Sequence, residues 1–249
     1  MGSFLIVHKK ENMPIFQLEE DSVLFPPARM TDESGILAVG GDLTPRRIIE
    51  AYASGVFPWF NPEDPLLWWS PDPRCVLFPE NIYVSKSMRQ LLRRNTFKVT
   101  FDQDFAGVIS ACKEIYRPDQ GGTWITDEME DAYNQLHKIG FMHSVEVWEG
   151  DELVGGLYGG AMQKAFFGES MFSKRSNASK YGFIMLCQNL IEQQYEIIDC
   201  QMHTPHLESL GAEEIPRDAF LLYTNRNQQR EFDRQNWNEI FRTDFYTNP

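Results

Sequence analysis

Glu169, Asp199 and Gln201 are the residues in this chain best placed by type and spacing to do chemistry together. Glu169 stands in Gly168-Glu169-Ser170-Met171-Phe172-Ser173, just after Phe166-Phe167. A carboxylate in such apolar company is either desolvated and paired or aimed into a cleft. Asp199 and Gln201 are two apart in Glu196-Ile197-Ile198-Asp199-Cys200-Gln201, which reads as a strand, so both side chains leave the same face. On neighbouring strands, two carboxylates and an amide would grip a cationic or amine-bearing group. A structural reading stays open beside this one. Glu169 would pair with Lys180 or Arg217, and Asp199 with Gln201 would form a hydrogen-bonded core network.

The elements that must position these groups are legible in outline. Thr44 with Pro45 opens a helix carrying Ile48, Ile49 and Tyr52 on one face and closed by Gly55. Ser85 caps a second, with Met88, Leu91 and Leu92 inward. Asp102 is expected to cap a third, with Phe105, Val108, Ile109 and Cys112 inward. Thr126 caps a fourth, carrying Met129, Tyr133 and Leu136 and ending at Gly140. The period then changes to two over Ser144–Glu149. Leu153–Met162 and Ala165–Phe167 follow as further strands of an antiparallel meander. A long helix spans about Ala178 to Gln193, and a short one runs from His206 to Leu210 before Gly211. The order β-β-β-α-β-α predicts an α+β (mixed α/β) fold. Prolines crowd the stretch from Phe57 to Pro79, which reads as a bent connector. The boundary placed there divides the chain into a small N-terminal domain, 1–72, and a catalytic domain, 73–249. Residues 1 to 12 read as a tag or an alternative start before Met13 and receive no structural weight.

Charge is unevenly spread. The net charge is −13, yet Val84 to Lys98 holds five cations (Lys86, Arg89, Arg93, Arg94 and Lys98) and no acid. A basic patch on an acidic protein suits a polyanion docked at one place, although a solvated helix face would look the same. No apolar run approaches the roughly 20 residues that span a bilayer, so no membrane partner is expected. The N-terminus lacks a secretory pattern. The four cysteines form no Cys-x-x-Cys pair and read as reduced, buried thiols of a cytoplasmic protein.

Several chemistries are set aside. The chain has no Gly-x-x-x-x-Gly-Lys loop, no Gly-x-Gly-x-x-Gly and no His-Glu-x-x-His, and Phe172 occupies the last position of what would be a nucleophile elbow at Ser170. His203 and His206 lack partners at ligand spacing, so no metal is predicted.

Leu37-Ala38-Val39-Gly40-Gly41-Asp42-Leu43-Thr44-Pro45, Gly55-Val56-Phe57-Pro58-Trp59-Phe60 and Leu67-Trp68-Trp69-Ser70-Pro71-Asp72-Pro73-Arg74 form a first group of motifs. Thr123-Trp124-Ile125, His143–Trp148, Leu153–Gly159, Gly168–Ser173, Asn177–Lys180, Ile198–Gln201 and Ser209–Ala212 continue the series. Together they make the chain resemble the leucyl/phenylalanyl-tRNA–protein transferases over about Phe25 to Phe220.

That resemblance implies an aminoacyltransferase that moves Leu or Phe, with Met as a further donor, from aminoacyl-tRNA onto proteins with N-terminal Lys or Arg. The product would be marked for the degradation machinery. It also implies an acetyltransferase-like (GNAT-type) C-terminal domain and no metal or organic cofactor. By motif match, Asp199 and Gln201 would orient the attacking amine and help draw off its proton, and Glu169 would hold the basic N-terminal residue. Leu157, Phe166, Met171, Ser173, Phe183, Leu186 and Ile198 would form the pocket for the donor side chain. Trp59 and Trp124 would contact the terminal adenosine, and Lys86, Arg89, Arg93 and Arg94 the acceptor-stem phosphates. Tyr181, Gly182 and Leu157 depart from the family pattern and bear on pocket shape. Two other readings are a non-catalytic binder of tRNA or basic N-termini and an acetyl-CoA acetyltransferase. The second would want an Arg/Gln-x-x-Gly-x-Gly/Ala loop, and no Arg or Gln here has Gly three positions on.

Overall fold

Residues 5–10, 13–31, 33–115, 124–224, 232, 234 and 236–246 are described by a computed structural model. The chain opens with β1 (Leu5–Lys10) and β2 (Met13–Leu18), paired antiparallel, so the segment expected to be weightless supplies an edge strand. β2 runs parallel to β3 (Ile36–Gly40). α1 (Pro45–Ala53) follows, then β4 (Phe57–Pro58) and β5 (Leu67–Trp69), completing a small sheet of order β1-β2-β3-β5-β4. The proline-rich stretch is therefore more than a connector. It holds β4 and β5 of the small sheet and β6 (Arg74–Leu77) of the large one.

The large sheet adds β7 (Lys98–Phe101), β8 (Met142–Glu149), β9 (Glu152–Met162), β10 (Ala165–Ser173), β11 (Ile197–Gln201) and β12 (Glu213–Ile215). Its order is β12-β6-β11-β10-β9-β8-β7. The strand predicted to end near Phe167 continues to Ser173. Between β6 and β8 lie α2 (Lys86–Arg93), α3 (Phe105–Glu114) and α4 (Asp127–Lys138). α5 (Ala178–Glu192) carries the chain from β10 to the parallel β11. α6 (Pro205–Glu208), α7 (Arg217–Thr224) and α8 (Trp237–Ile240) complete the set. Two sheets with helices between and around them make a mixed α/β architecture, in keeping with the expected class.

Caps explain several helix starts. Ser85 and Thr126 each accept a backbone N–H three residues on, at 3.2 Å. α3 corrects the expected cap: Asp104 accepts from Gly107 N at 3.0 Å, whereas Asp102 turns back to the sheet. Asp102 there accepts Ser144 N at 2.9 Å and lies 2.8 Å from His143 Nδ1.

Phe166 and Phe167 are neighbours in sequence but lie in different cores. Alternation along β10 sends Phe167 toward Tyr52, Tyr133 and Phe141 and Phe166 toward Leu157, Phe183 and Ile198. The strands are buried on both faces and so read as apolar runs with no clear period. α3, α4 and the N-terminal unit share one core, and α5 and α2 cover the other. A Cβ at Gly182 would come within 2.7 Å of Val147 Cγ2, so the residue that departs from the family pattern lets α5 lie close on β8. Trp237 in α8 stacks on His143 at 4.0 Å and packs against Phe166 at 5.7 Å, so the chain after residue 236 returns to the second core.

Candidate active site

β10 and β11 pair in parallel only from Ala165/Ile197 to Phe167/Asp199. Beyond that point both strands are irregular. β10 shifts register against β9 between Gly168 and Ser170, and β11 shifts against β6 between Asp199 and Gln201. Gln201 takes a left-handed backbone, φ 58°, uncommon for a residue other than glycine. A cavity of about 340 Å³ lies beside these irregular ends. Gly168–Met171 line it on one side and Cys200–Thr204 on another, with Trp59 and Trp124 also on its wall. Ligands commonly sit outside the carboxyl ends of parallel strands.

Part of the cavity lining is polar. Glu169 Oε1 accepts from Tyr52 Oη at 2.6 Å and from Gln201 Nε2 at 3.3 Å, while Oε2 accepts from Tyr133 Oη at 2.9 Å. Desolvation raises the Glu169 pKa to about 7, against the lowering effect of the two tyrosine bonds. Burial and the neighbouring Glu169 carboxylate in turn push both tyrosine hydroxyls well up. The expected ion pairs of Glu169 do not form. Lys180 Nζ lies 3.5 Å from Ser209 Oγ, and Arg217 engages Thr31, the Ser70 carbonyl and Asp72. Leu157, Met171, Phe183 and Ile198 supply apolar lining. Glu169 reaches tyrosines of the first core and these apolar residues belong to the second, so the cavity touches both faces of the sheet.

Asp199 departs from the expected arrangement. Its side chain is fully buried and does not line the cavity. Arg74 grips it with Nε to Oδ1 at 2.8 Å and Nη2 to Oδ2 at 2.7 Å. The guanidinium itself lies between the rings of Phe57 and Phe220, at 4.7 and 4.6 Å. Oδ1 also accepts the backbone N–H of Gln201 at 3.0 Å. With these bonds in place, the Asp199 carboxylate is engaged by Arg74 and positions the backbone of Gln201. The register shift separates the two residues that strand parity alone would put side by side.

Three expected pocket residues stand elsewhere. Phe166 and Leu186 are fully buried behind the wall. Ser173 donates to the Arg175 carbonyl at 2.7 Å and accepts from Ser179 N at 3.2 Å, which holds the turn into α5. Lys86, Arg89 and Arg93 on α2, with Arg94 just past its end, are exposed around a separate groove. His203 faces Glu208 at 3.3 Å, and no group of three metal-ligating side chains occurs among the described residues. Sequence reasoning assigned no site role to Arg74, Tyr52, Tyr133, Tyr158 or Cys200. Tyr52 and Tyr133 carried a usable signal, because a tyrosine on an inward helix face must find a partner for its hydroxyl.

The family model described as leucyl/phenylalanyl-tRNA protein transferase matches residues 76–225, and the model of its N-terminal domain matches 41–72. The chain belongs to the leucyl/phenylalanyl-tRNA–protein transferase family. It is thus a transferase enzyme. Relatives bearing that family name are 52% identical in Syntrophus aciditrophicus, over 90% of this chain and 94% of the relative, and 56% identical in Pseudomonas fluorescens, over 84% and 93%. A third, from Christiangramia forsetii, is 57% identical over 80% and 95%. Among solved structures, L-PGS from Bacillus licheniformis aligns over 53% of this chain and 46% of its own at 13% identity with TM-score 0.38, too low to carry an argument. No helix among the described residues of this transferase is long and apolar enough to cross a membrane.

Proposed function

We propose that this transferase moves Leu or Phe, with Met as a further donor, from aminoacyl-tRNA to the α-amine of proteins beginning with Lys or Arg. The observation that carries this reading is the cavity's mixed lining. Apolar Leu157, Met171, Phe183 and Ile198 share its lining with the hydrogen-bonded Glu169 and Gln201 and with Trp59 and Trp124. The donor side chain lies against the apolar lining, where each methylene is worth about 1–3 kcal/mol of discrimination. The adenosine stacks on one or both tryptophans, and α2 meets the phosphates. A GNAT-type C-terminal domain, which the resemblance implies, would suit a parallel strand pair that parts at the site.

The reaction is aminolysis of an ester. The amine nitrogen attacks the acyl carbon, the ester C–O bond breaks, and the tRNA ribose oxygen leaves and takes up a proton. The amine must be neutral to attack. Glu169 faces the cavity and titrates near neutrality, so it is the group suited to take that proton or to hold the cationic side chain beside it. Gln201, an amide, orients the amine. The tagged product would pass to the degradation machinery in the cytoplasm, where charged tRNA is available.

The test is to mix the protein with labelled Leu-tRNA and a peptide beginning with Arg. Label should enter this peptide and spare its N-acetylated form. Failure to label it, or equal labelling of both, rejects the reading.

A further inference from the structure

Cys75 and Cys200 lie on adjacent strands where β11 departs from regular pairing with β6. Asp199 pairs with Val76 and Gln201 with Cys75, so Cys200 is the extra residue of the bulge and shares Cys75 as its opposite number with Gln201. Both thiols point into the same core. Neither is in a disulfide; Cys200 Sγ lies 3.9 Å from the Ile198 carbonyl, and each thiol shifts the pKa of the other. Cys200 is also on the cavity wall, 8% exposed, whereas Cys75, Cys112 and Cys187 are fully buried. Their chain neighbours are the positioning pair: Arg74 precedes Cys75, and Cys200 lies between Asp199 and Gln201.

We propose that Cys75 and Cys200 form a reversible disulfide when a peroxide enters the cavity, and that this bond switches the transferase off. The Cys200 thiolate attacks hydrogen peroxide, the O–O bond breaks, water leaves and a sulfenic acid remains. The Cys75 thiolate then attacks that sulfur, the S–S bond forms and a second water leaves. Two electrons pass from the two sulfurs to the peroxide. The Cys200 thiol holds the Cys75 thiol below its ordinary pKa, which favours the second step, while the Cys75 thiol and then burial raise that of Cys200 and slow the first. A disulfide draws its two Cβ atoms to roughly 3.5–4.5 Å. That pull acts at the bulge that fixes the left-handed Gln201 and the Arg74–Asp199 pair.

The whole protein is treated with hydrogen peroxide and then digested without reduction for mass spectrometry. A Cys75–Cys200 linked peptide is expected, with activity falling about tenfold or more, as small displacements at a site often do. Dithiothreitol should restore both. Cys75→Ser should keep the untreated activity and lose both the link and the reversible fall, and Cys187→Ser should behave as the unaltered protein does. Absence of the link, a Cys187–Cys200 link in its place, or a link with undiminished activity overturns the proposal. The peptide map is read without any tRNA, so its result stands whatever the transfer assay shows.

Discussion

Arg74 holds Asp199 through both carboxylate oxygens inside the protein, at 2.8 and 2.7 Å, with neither side chain exposed. Such a pair is poor evidence of net stabilisation, because two desolvated charges offset much of their attraction. Breaking it is another matter. Arg74→Ala leaves a buried carboxylate without its counter-charge and should lower unfolding free energy by about 3–5 kcal/mol in a urea titration. Arg74→Lys keeps the charge but loses the two-pronged grip, and should cut kcat more than it raises KM. A purely structural pair would show Arg74→Lys losing stability with kcat per folded molecule unchanged.

Glu169 sets a pH dependence. Its pKa is raised from 4.5 to about 7, so kcat/KM should climb as pH rises through about 7. Glu169→Gln should flatten that limb and leave only the limb of the peptide's own amine. Stability runs the other way. A raised acid favours its neutral form in the folded state, so its contribution is full below about 4.5 and is lost as pH rises through about 7. The loss is at most roughly 3 kcal/mol, and less because the residue faces the cavity. Glu169→Gln should therefore gain stability relative to the native protein between these two pH values, as read by thermal melts.

The tyrosine hydroxyls oppose the rise at Glu169. Tyr52→Phe and Tyr133→Phe should each move the rate limb to higher pH by about one unit, since a hydrogen bond to a charged group is worth about 1.5–3 kcal/mol. A limb that stays in place in both variants would remove Glu169 as its source.

On α2 the expectation concerns salt. Arg93→Ala with Arg94→Ala should weaken binding of aminoacyl-tRNA and lower the slope of log affinity against log salt by about 1–2. Transfer at saturating tRNA should be preserved, because the groove these residues line is separate from the cavity.

Much of this was readable from residue order, and the failures have physical reasons. Helices α1, α2 and α4 were visible because their start residues and apolar spacing agree. β6 and β7 were missed, being only four residues each. Asp102 was mistaken for a cap because it lies two residues from the true cap, Asp104, and only the fold shows that it serves His143 and Ser144. At the site, parity placed Asp199 and Gln201 on one face, but parity assumes a regular ladder and a bulge falls between them. Arg74 lies 125 positions from Asp199, so no local pattern could join them. Leu157, Met171, Phe183 and Ile198 line the cavity, while Phe166 and Leu186 share their chemistry and do not, which apolar type alone does not tell apart.

The stacking of Trp237 on His143 and against Phe166 gives the end of the chain a mechanical part. Phe166 is the backing of the cavity wall, and Trp237 is what braces it from behind, in a segment that lies past the last residue of the family match. A chain cut at residue 225 would keep every side chain that faces the cavity and still lose that buttress. Its pocket would be free to slacken, and discrimination among donor side chains would be expected to blur before transfer itself failed.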